Sequence, residues 1–261
     1  MPLDAALSYV PVFVLVLFRV AGFMLFAPLF GSARIPKRVR TMLAVILAMG
    51  MTSSVKQPPQ LPGDYFSLAM VIGGEICFGL AMGMILSFTF IAAQWAGDII
   101  GQQLGLNISE TFDPQFGQQG SLVGNLYFML CIVIFISVNG PRALLMGVRA
   151  SFDTLPLLSV GMTRPLLELF VGLFQASTEL AFKLAAPVLV TLLAVDLALG
   201  FVGKTMPQLN VMNMGLSIRS LVGLIVLIVG MGLTSSVLRN ALWDGMEAVL
   251  QAYSPTQVTA N

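Results

Sequence analysis

The sequence predicts an all-α membrane protein built from several long helices, and three observations lead to this prediction. Of the 261 residues, 57% are hydrophobic and only 10% are charged, whereas about a quarter of the residues in a soluble domain are charged. The mean hydropathy is +0.92. Apolar segments of helical length alternate with short breaks rich in Gly, Pro and Asn. Such a chain buries its helices in a bilayer or against other apolar helices.

The apolar segments predict the helices in chain order, at residues 7–30, 41–55, 65–104, 122–139, 165–203 and 214–240. A bilayer core needs about 20 helical residues, so 65–104 and 165–203 are too long for one straight span. We expect each to be a kinked helix or a tight helical hairpin, with Pro187 as a natural break in the second. Residues 140–160 predict an amphipathic connector, and residues 251–261 a mobile polar tail.

The break GSARIPKRVR at residues 31–40 carries four positive charges and no negative one. By the positive-inside rule, this loop is predicted to lie on the cytoplasmic side of the membrane. A topology signal near lipid head groups and a docking site for an acidic partner explain the cluster about equally well. The predicted basic loop consists of Arg34, Lys37, Arg38 and Arg40.

Several charged side chains lie inside the apolar segments, where an unpaired charge is costly. Glu179 and Lys183 are four residues apart, so we expect them to pair on one helix face. Structural pairing is favoured over the ion relay of a transporter, because no acidic cluster and no inverted repeat accompanies these charges. The residues concerned are Arg19, Glu75, Lys183, Asp196 and Arg219.

The sequence argues against an enzyme. It contains no His, which removes the commonest general base and the commonest metal ligand. Cys77 and Cys131 lie in apolar runs without a C-x-x-C motif, which disfavours a thiol redox site or a metal site. We expect no metal and no cofactor. A secondary transporter remains an alternative, but it would need a substrate pocket at the bilayer midplane built from broken helices.

The segment GDIIGQQLG places Gly97, Gly101 and Gly105 at a spacing of four residues, which predicts a smooth stripe for close helix packing. It leads into LGLNISETFDPQFGQQGS, a Gly- and Gln-rich stretch with two Phe and two acids. By composition alone, this stretch is typical of an ordinary solvent-exposed loop.

Four spaced blocks carry a resemblance to a known family: PLFGSARIPKRVRTMLAVILA, GDIIGQQLGLNISETFDPQFG, NGPRALLMGVRASFDTLPL and MPQLNVMNMGLSIRSLVGL. With these blocks the chain resembles the FliR/SctT family of type III secretion export-gate proteins over nearly its whole length. The Asp-Pro pair of the loop favours the flagellar branch, and a homologous injectisome subunit is the alternative.

The resemblance implies a non-enzymatic subunit of a protein-conducting channel in the inner membrane, at the flagellar basal body. It implies a helical hetero-oligomer with FliP and FliQ, with FlhB at the entrance and unfolded flagellar subunits in transit. Residues 1–160 resemble a FliP-like part and residues 161–250 a FliQ-like hairpin. A break and helix cap are predicted at the hairpin turn, at Pro207 and Asn210.

The resemblance also implies that the loop 106–121 plugs the closed channel. Its composition suits that role, because glycine gives hinge freedom, proline restricts a turn and phenylalanine supplies bulk that blocks ions. The predicted plug residues are Phe112, Asp113, Pro114, Phe116 and Gly117.

Overall fold

The computed structural model describes residues 3–31, 35–53, 55, 63–106, 121–155, 157–158, 165–206 and 211–251. Within these ranges the chain forms seven α-helices and no β-strand, which confirms the predicted fold class. The helices are α1 (Leu3–Phe26), α2 (Lys37–Thr52), α3 (Tyr65–Gln103), α4 (Leu122–Ser137), α5 (Gly140–Thr154), α6 (Pro165–Thr205) and α7 (Val211–Gln251).

Four stretches of the described helices are long and apolar enough to cross a membrane: Tyr9–Phe26, Tyr65–Gln103, Phe170–Thr205 and Met214–Ala248. The pair α4 and α5 also passes this test as one broken span, bent by 67°. The bend lies at Asn139, whose φ of 57° is left-handed, and Pro141 follows in the first turn of α5. Asn tolerates this backbone conformation better than most residues, which allows the sharp change of direction.

The tight-hairpin alternative is wrong for both long segments, because α3 runs unbroken over 39 residues and α6 over 41. Proline removes one backbone hydrogen bond from a helix interior. Around Pro187 the helix nevertheless continues, because Ala185 and Val188 are buried and their packing offsets the lost bond. The last helix also extends beyond the expected end at residue 240, since Leu242 and Met246 are buried as well. The tail, residues 252–261, lies outside the described residues.

The packing of the helices divides the chain into two compact units. The first unit comprises the described residues within Met1–Phe88, Asn139–Phe174 and Leu242–Asn261. The second comprises those within Thr89–Val138 and Gln175–Ala241. Neither unit is continuous in sequence, so each depends on contacts between distant segments.

In the first unit, α1 crosses α3 at close range through glycine. A Cβ atom on Gly22 would lie 2.5 Å from the carbonyl oxygen of Ile76, and one on Gly83 would lie 2.5 Å from that of Phe23. A Cβ atom on Gly79 would collide with the carbonyl oxygen of Arg19. These obstacles are backbone atoms that no rotamer change can move, so the crossing needs glycine.

In the second unit, the C-terminal part of α3 packs with α4 through aromatic rings. Phe90 makes edge-to-face contacts with Phe128 and Phe135, with centroid distances of 5.9 and 5.5 Å. This geometry is favourable for aromatic pairs. These contacts hold α3 and α4 side by side. The two helices flank the Gly- and Gln-rich loop.

Candidate functional site

The predicted plug residues Phe112, Asp113, Pro114, Phe116 and Gly117 lie outside the described residues, as does all of the loop from 107 to 120. What the structure describes is the base of this loop, formed by the end of α3 and the start of α4. Both belong to the second unit. The geometry of this base determines where the loop leaves and re-enters the helices.

The exit from α3 is a hydrogen-bonded helix cap. Gly105 has a φ of 71°, and its N–H donates to the carbonyl oxygen of Gln102 at 3.1 Å. The N–H of Leu106 donates to the carbonyl oxygen of Gly101, also at 3.1 Å. This pattern is the Schellman motif, which requires a left-handed residue just beyond the helix. Gly105 therefore lies past the end of α3 and caps it.

The return into α4 is capped by Ser121. Its hydroxyl oxygen accepts a hydrogen bond from the N–H of Gly124 at 3.2 Å, which satisfies one of the free donors at the helix start. The carbonyl oxygen of Ser121 accepts from the N–H of Asn125 at 2.8 Å. The loop therefore starts and ends at defined positions.

Gly97 lies at a close contact between α3 and α4. A Cβ atom on Gly97 would come within 2.6 Å of the Gly124 Cα atom and of the Val123 carbonyl oxygen. Gly101, one helical turn further, is buried. Gly97 and Gly101 thus lie in α3, and Gly97 is at a backbone-to-backbone contact of the kind that glycine permits.

The end of α3 is also attached to α7. Leu104 is fully buried, and its carbonyl oxygen accepts a hydrogen bond from the Ser220 hydroxyl at 2.7 Å. Gly223 faces the Leu104 side chain so closely that a Cβ atom there would collide with it. The loop base is thus attached to three helices, α3, α4 and α7.

In the second unit, one ion pair joins α6 and α7 and another lies within α6. Arg219 of α7 donates from its Nε atom to Asp196 of α6 at 3.0 Å. The expected pair within α6 is confirmed, with 2.7 Å between the Lys183 Nζ atom and a Glu179 carboxylate oxygen. Both side chains of that pair are more than 60% exposed.

A buried ion pair in the first unit joins two residues that the sequence did not connect. The Arg19 Nε atom donates to Glu75 at 2.6 Å, and both side chains are fully buried. The guanidinium lies between the rings of Phe78 and Phe152, at 4.8 and 4.6 Å from their centroids. Such stacking on both faces favours an arginine over a lysine.

The same pair holds the end of α5. The Nη1 atom of Arg19 donates to the carbonyl oxygens of Ser151 and Leu155, at 3.3 and 3.1 Å. The second carboxylate oxygen of Glu75 accepts from the N–H of Leu158 at 3.2 Å. The only sequence signal was that each charge stood isolated in an apolar segment and therefore needed a partner.

The predicted basic loop is partly helical. Lys37, Arg38 and Arg40 belong to the first turns of α2, which begins directly after Pro36. Lys37 and Arg38 are exposed, and Arg40 donates to the carbonyl oxygen of Gly31 at 3.1 Å. The remaining predicted members of the basic loop and of the hairpin turn lie outside the described residues: Arg34, Pro207 and Asn210.

A groove of about 400 Å³ lies between α3 and α6 in the second unit. Trp95 and Phe182 form apolar walls, and Asp98 and Gln102 supply the polar groups on the α3 side. Among the described residues there is also no group of three or more His, Cys, Asp or Glu side chains that could hold a metal ion.

Comparison with known proteins gives consistent matches over most of the chain. The family described as "Bacterial export proteins, family 1" matches residues 10–244. Flagellar biosynthetic protein FliR of Bacillus subtilis is 34% identical over 244 residues, covering 91% of this chain and 93% of that protein. FliR of Aquifex aeolicus is 30% identical, covering 87% and 88%. Yop proteins translocation protein T of Yersinia pestis is 27% identical, covering 73% and 74%.

Proposed function

The chain belongs to bacterial export protein family 1 and is a membrane component of a type III export gate, and we propose that it forms the flagellar channel together with FliP and FliQ. In this proposal, unfolded flagellar subunits pass through the channel across the inner membrane at the basal body. FlhB lies at the entrance, and the chain contributes structure and no catalysis.

The observation that carries this proposal is the length of exposed apolar helix. In an apolar 18-residue window within Phe170–Thr205 only 17% of the residues are buried within the chain, and in one within Met214–Ala248 only 22%. Helices of this size are about 50 Å long, whereas the hydrocarbon core of a bilayer is about 30 Å thick. Lipid alone cannot cover such a surface at ordinary tilts. Neighbouring protein subunits are therefore expected to cover the remainder.

The geometry of the loop base supports a plug formed by the loop 106–121. A plug has to be held at a defined place while its central part stays free to move for the substrate. The Schellman cap at Gly105 and the serine cap at Ser121 hold the two ends. The proposed blocking groups between them are Phe112 and Phe116, whose rings are large enough to obstruct ions.

The two-part organisation is also a proposal. The antiparallel pairing of α6 and α7, through Arg219 and Asp196, supports a FliQ-like hairpin at residues 161–250. The proposed turn of this hairpin contains Pro207 and Asn210, and residues 1–160 would form the FliP-like part.

The plug is tested in cells that lack the native subunit and produce either this chain or a version without residues 110–119. Secretion of flagellar subunits and ion leakage across the inner membrane are measured at equal protein levels. We expect leakage to rise in the deletion while the complex still assembles. Unchanged leakage would show that the loop is a connector and not a plug.

Point variants distinguish the effect of side-chain size from the effect of loop length in the same assay. The variant Phe112→Ala/Phe116→Ala is expected to leak, since it removes both rings at constant length. The matched control, Gln118→Ala/Gln119→Ala, changes two polar residues of the same loop and should stay tight. Equal leakage from both variants would show that the aromatic rings are not the blocking groups.

The injectisome is the second candidate, because Yop proteins translocation protein T matches 73% of the chain. The higher identity to the two FliR proteins, 34% and 30%, favours the flagellar system. Complementation decides between them: restoration of swimming in a flagellar gate mutant supports the flagellar proposal, and restoration of effector secretion alone supports the injectisome.

A further inference from the structure

Leu104 lies at the exit of α3, and its backbone carbonyl is not served by the helix cap. The two hydrogen bonds of the cap end on the carbonyl oxygens of Gln102 and Gly101. Leu104 is fully buried, and a buried carbonyl group needs a donor. Ser220 of α7 supplies it, with 2.7 Å between the hydroxyl oxygen and the Leu104 carbonyl oxygen. The start of the loop is thus tied to α7 through a serine side chain.

The side chain of Leu104 lies against α6 and α7 in what we call the Leu104 socket, formed by Leu192, Ser220 and Gly223. A Cβ atom on Gly223 would collide with the Leu104 side chain and would lie 3.3 Å from the Cδ2 atom of Leu192. Leu192 and Gly223 are both buried. Glycine at position 223 therefore leaves the space that the Leu104 side chain occupies.

The two helices of the socket are joined by a contact that does not involve Leu104. Arg219, the neighbour of Ser220 in the chain, donates from its Nε atom to Asp196 of α6 at 3.0 Å. Asp196 lies one helical turn from Leu192 on the same helix. We therefore expect the socket to keep its shape when Leu104 leaves it.

The hydroxyl group of Ser220 has two acceptors on two different helices. Besides the Leu104 carbonyl, the carbonyl oxygen of Leu216, one turn earlier in α7, lies 2.9 Å from the hydroxyl oxygen. A serine hydroxyl carries one proton, and rotation about the Cβ–Oγ bond directs it to either acceptor. Separation of Leu104 from α7 therefore leaves no unsatisfied donor on α7, which makes this contact easy to release.

The turn of α3 that carries Leu104 lies beyond the contacts described between α3 and α4. Those contacts involve Phe90 and Gly97, and Gly97 is about two turns before Leu104. Gly101 and Gly105 flank Leu104 in the sequence, and glycine changes its backbone conformation more readily than other residues. The last turn of α3 is thus able to change direction while the rest of the helix stays in place.

We propose that Ser220 is a positioning residue for the loop 106–121: together with Leu192 and Gly223 it holds Leu104, and Leu104 leaves the socket when substrate passes. This inference rests on the proposed function, because it takes the loop to be the plug. Ser220 acts through Leu104 and needs no contact with the substrate. The loop accordingly has a closed position with Leu104 in the socket and an open position with Leu104 released.

The first test changes the hydrogen bond in the complete gate, in cells that lack the native subunit. Ser220→Ala removes the donor and is expected to raise ion leakage by about twofold to tenfold, which is the shift in equilibrium that loss of one hydrogen bond produces. Secretion of flagellar subunits should continue. Ser220→Thr keeps a hydroxyl and should restore low leakage. Ser235→Ala is the matched control, because the Ser235 hydroxyl donates to a carbonyl of its own helix.

The second test locks Leu104 in the socket with a disulfide, in a chain whose Cys77 and Cys131 are replaced by Ala. The locked variant is Leu104→Cys/Gly223→Cys. The Leu104 Cγ atom, where a cysteine sulfur would lie, is 3.3 Å from the Cβ position of residue 223, and a disulfide needs about 3 Å there.

The lock should affect secretion and not leakage. We expect a thiol-oxidising reagent to lower secretion by about tenfold or more, because the open position is no longer populated. Leakage should stay low, and a reducing agent should restore secretion. Leu104→Cys alone, treated in the same way, is the control for the reagents.

A purely structural role of Ser220 predicts other results. Equal leakage from Ser220→Ala and Ser235→Ala overturns the proposal, and so does a loss of assembly in Ser220→Ala without leakage from the gates that form. Full secretion through gates whose free thiols have been lost would show that Leu104 need not leave the socket. Failure of the disulfide to form in assembled gates would contradict the contact itself. If the double cysteine variant does not assemble when reduced, the comparison of the serine variants decides.

Failure of the proposed function is recognised separately. A wild-type chain that does not restore secretion refutes the export role, and a gate without residues 110–119 that does not leak refutes the plug. Both measurements use chains that keep Ser220 and Leu104. If both results support the plug and only the variants of the socket behave like their controls, the inference about Ser220 alone is wrong.

Discussion

Arg19 needs partners more than other residues of the described chain, because its charged guanidinium is completely buried. Removing such a charge from water costs several kcal/mol, which is regained only through close and well-directed partners. Glu75, two carbonyl oxygens of the α5 end and two aromatic rings provide them. The pair therefore contributes to the specificity of the fold, because its contacts form in only one arrangement of α1, α3 and α5.

Replacement of Arg19 by Met is expected to destabilise the first unit by about 3–5 kcal/mol, because it leaves Glu75 buried without its counter-charge. Adding Glu75→Leu to this variant should recover part of the loss. The measurement is the thermal unfolding midpoint of the purified complex in detergent.

Arg219→Met is the matched control for this prediction. Its pair with Asp196 is 33% and 36% exposed, so its loss should cost about 1 kcal/mol or less. Equal destabilisation by Arg19→Met and Arg219→Met would contradict the special role of the buried pair.

At the scale of helices, close crossings decide which elements can pack. The contact of Gly97 with Gly124 brings α3 and α4 together at the base of the loop. The obstacles around Gly97 are backbone atoms of α4, so a larger residue would have to push the helices apart. The position of the loop therefore depends on a residue that lies outside the loop itself.

We expect Gly97→Leu to lower the amount of assembled complex several-fold, because the side chain has no space between α3 and α4. The measurement is the quantity of chain recovered with its partner subunits from membranes. Gly73→Ala is the control, since a Cβ atom at Gly73 meets no atom within 4 Å. There the gain in helix propensity of about 1 kcal/mol should leave assembly intact or improve it. Normal assembly of Gly97→Leu would refute the crossing argument.

At the scale of the whole molecule, much of the apolar surface lies on α6 and α7, and the chain itself leaves it uncovered. Contiguous exposed apolar surface on this scale marks contact with a membrane or with other proteins. Because the two helices exceed the thickness of a bilayer, both kinds of contact are expected. We accordingly expect the chain to reach its stable state only within an assembly.

The chain expressed alone should be heterogeneous in detergent, and coexpression with FliP and FliQ should make it monodisperse. The physical reason is that the partner subunits replace water or detergent on the exposed faces of α6 and α7. Size-exclusion chromatography with light scattering provides the measurement. A monodisperse chain that transports a substrate in liposomes without partners would instead support a transporter.

Part of this protein is determined by its sequence alone. Composition and apolar runs of helical length determine the all-α membrane class. The spacing of Glu179 and Lys183 predicts their pair, because residues four apart are neighbours on one helix face. The sequence left a kinked helix and a tight hairpin open at Pro187, and the continuous helix α6 excludes the hairpin. The rule for proline within a helix correctly describes the lost hydrogen bond. It contains no information on the packing of Ala185 and Val188, which allows the helix to continue.

Only the tertiary structure decided which distant groups meet. Arg19 and Glu75 are 56 residues apart, and nothing in the intervening sequence specifies that α1 and α3 cross at their glycines. The same holds for Leu104 and Ser220, 116 residues apart. Isolated charges and glycines show that a partner is needed, but its identity depends on how whole helices pack, and that packing is a property of the complete chain.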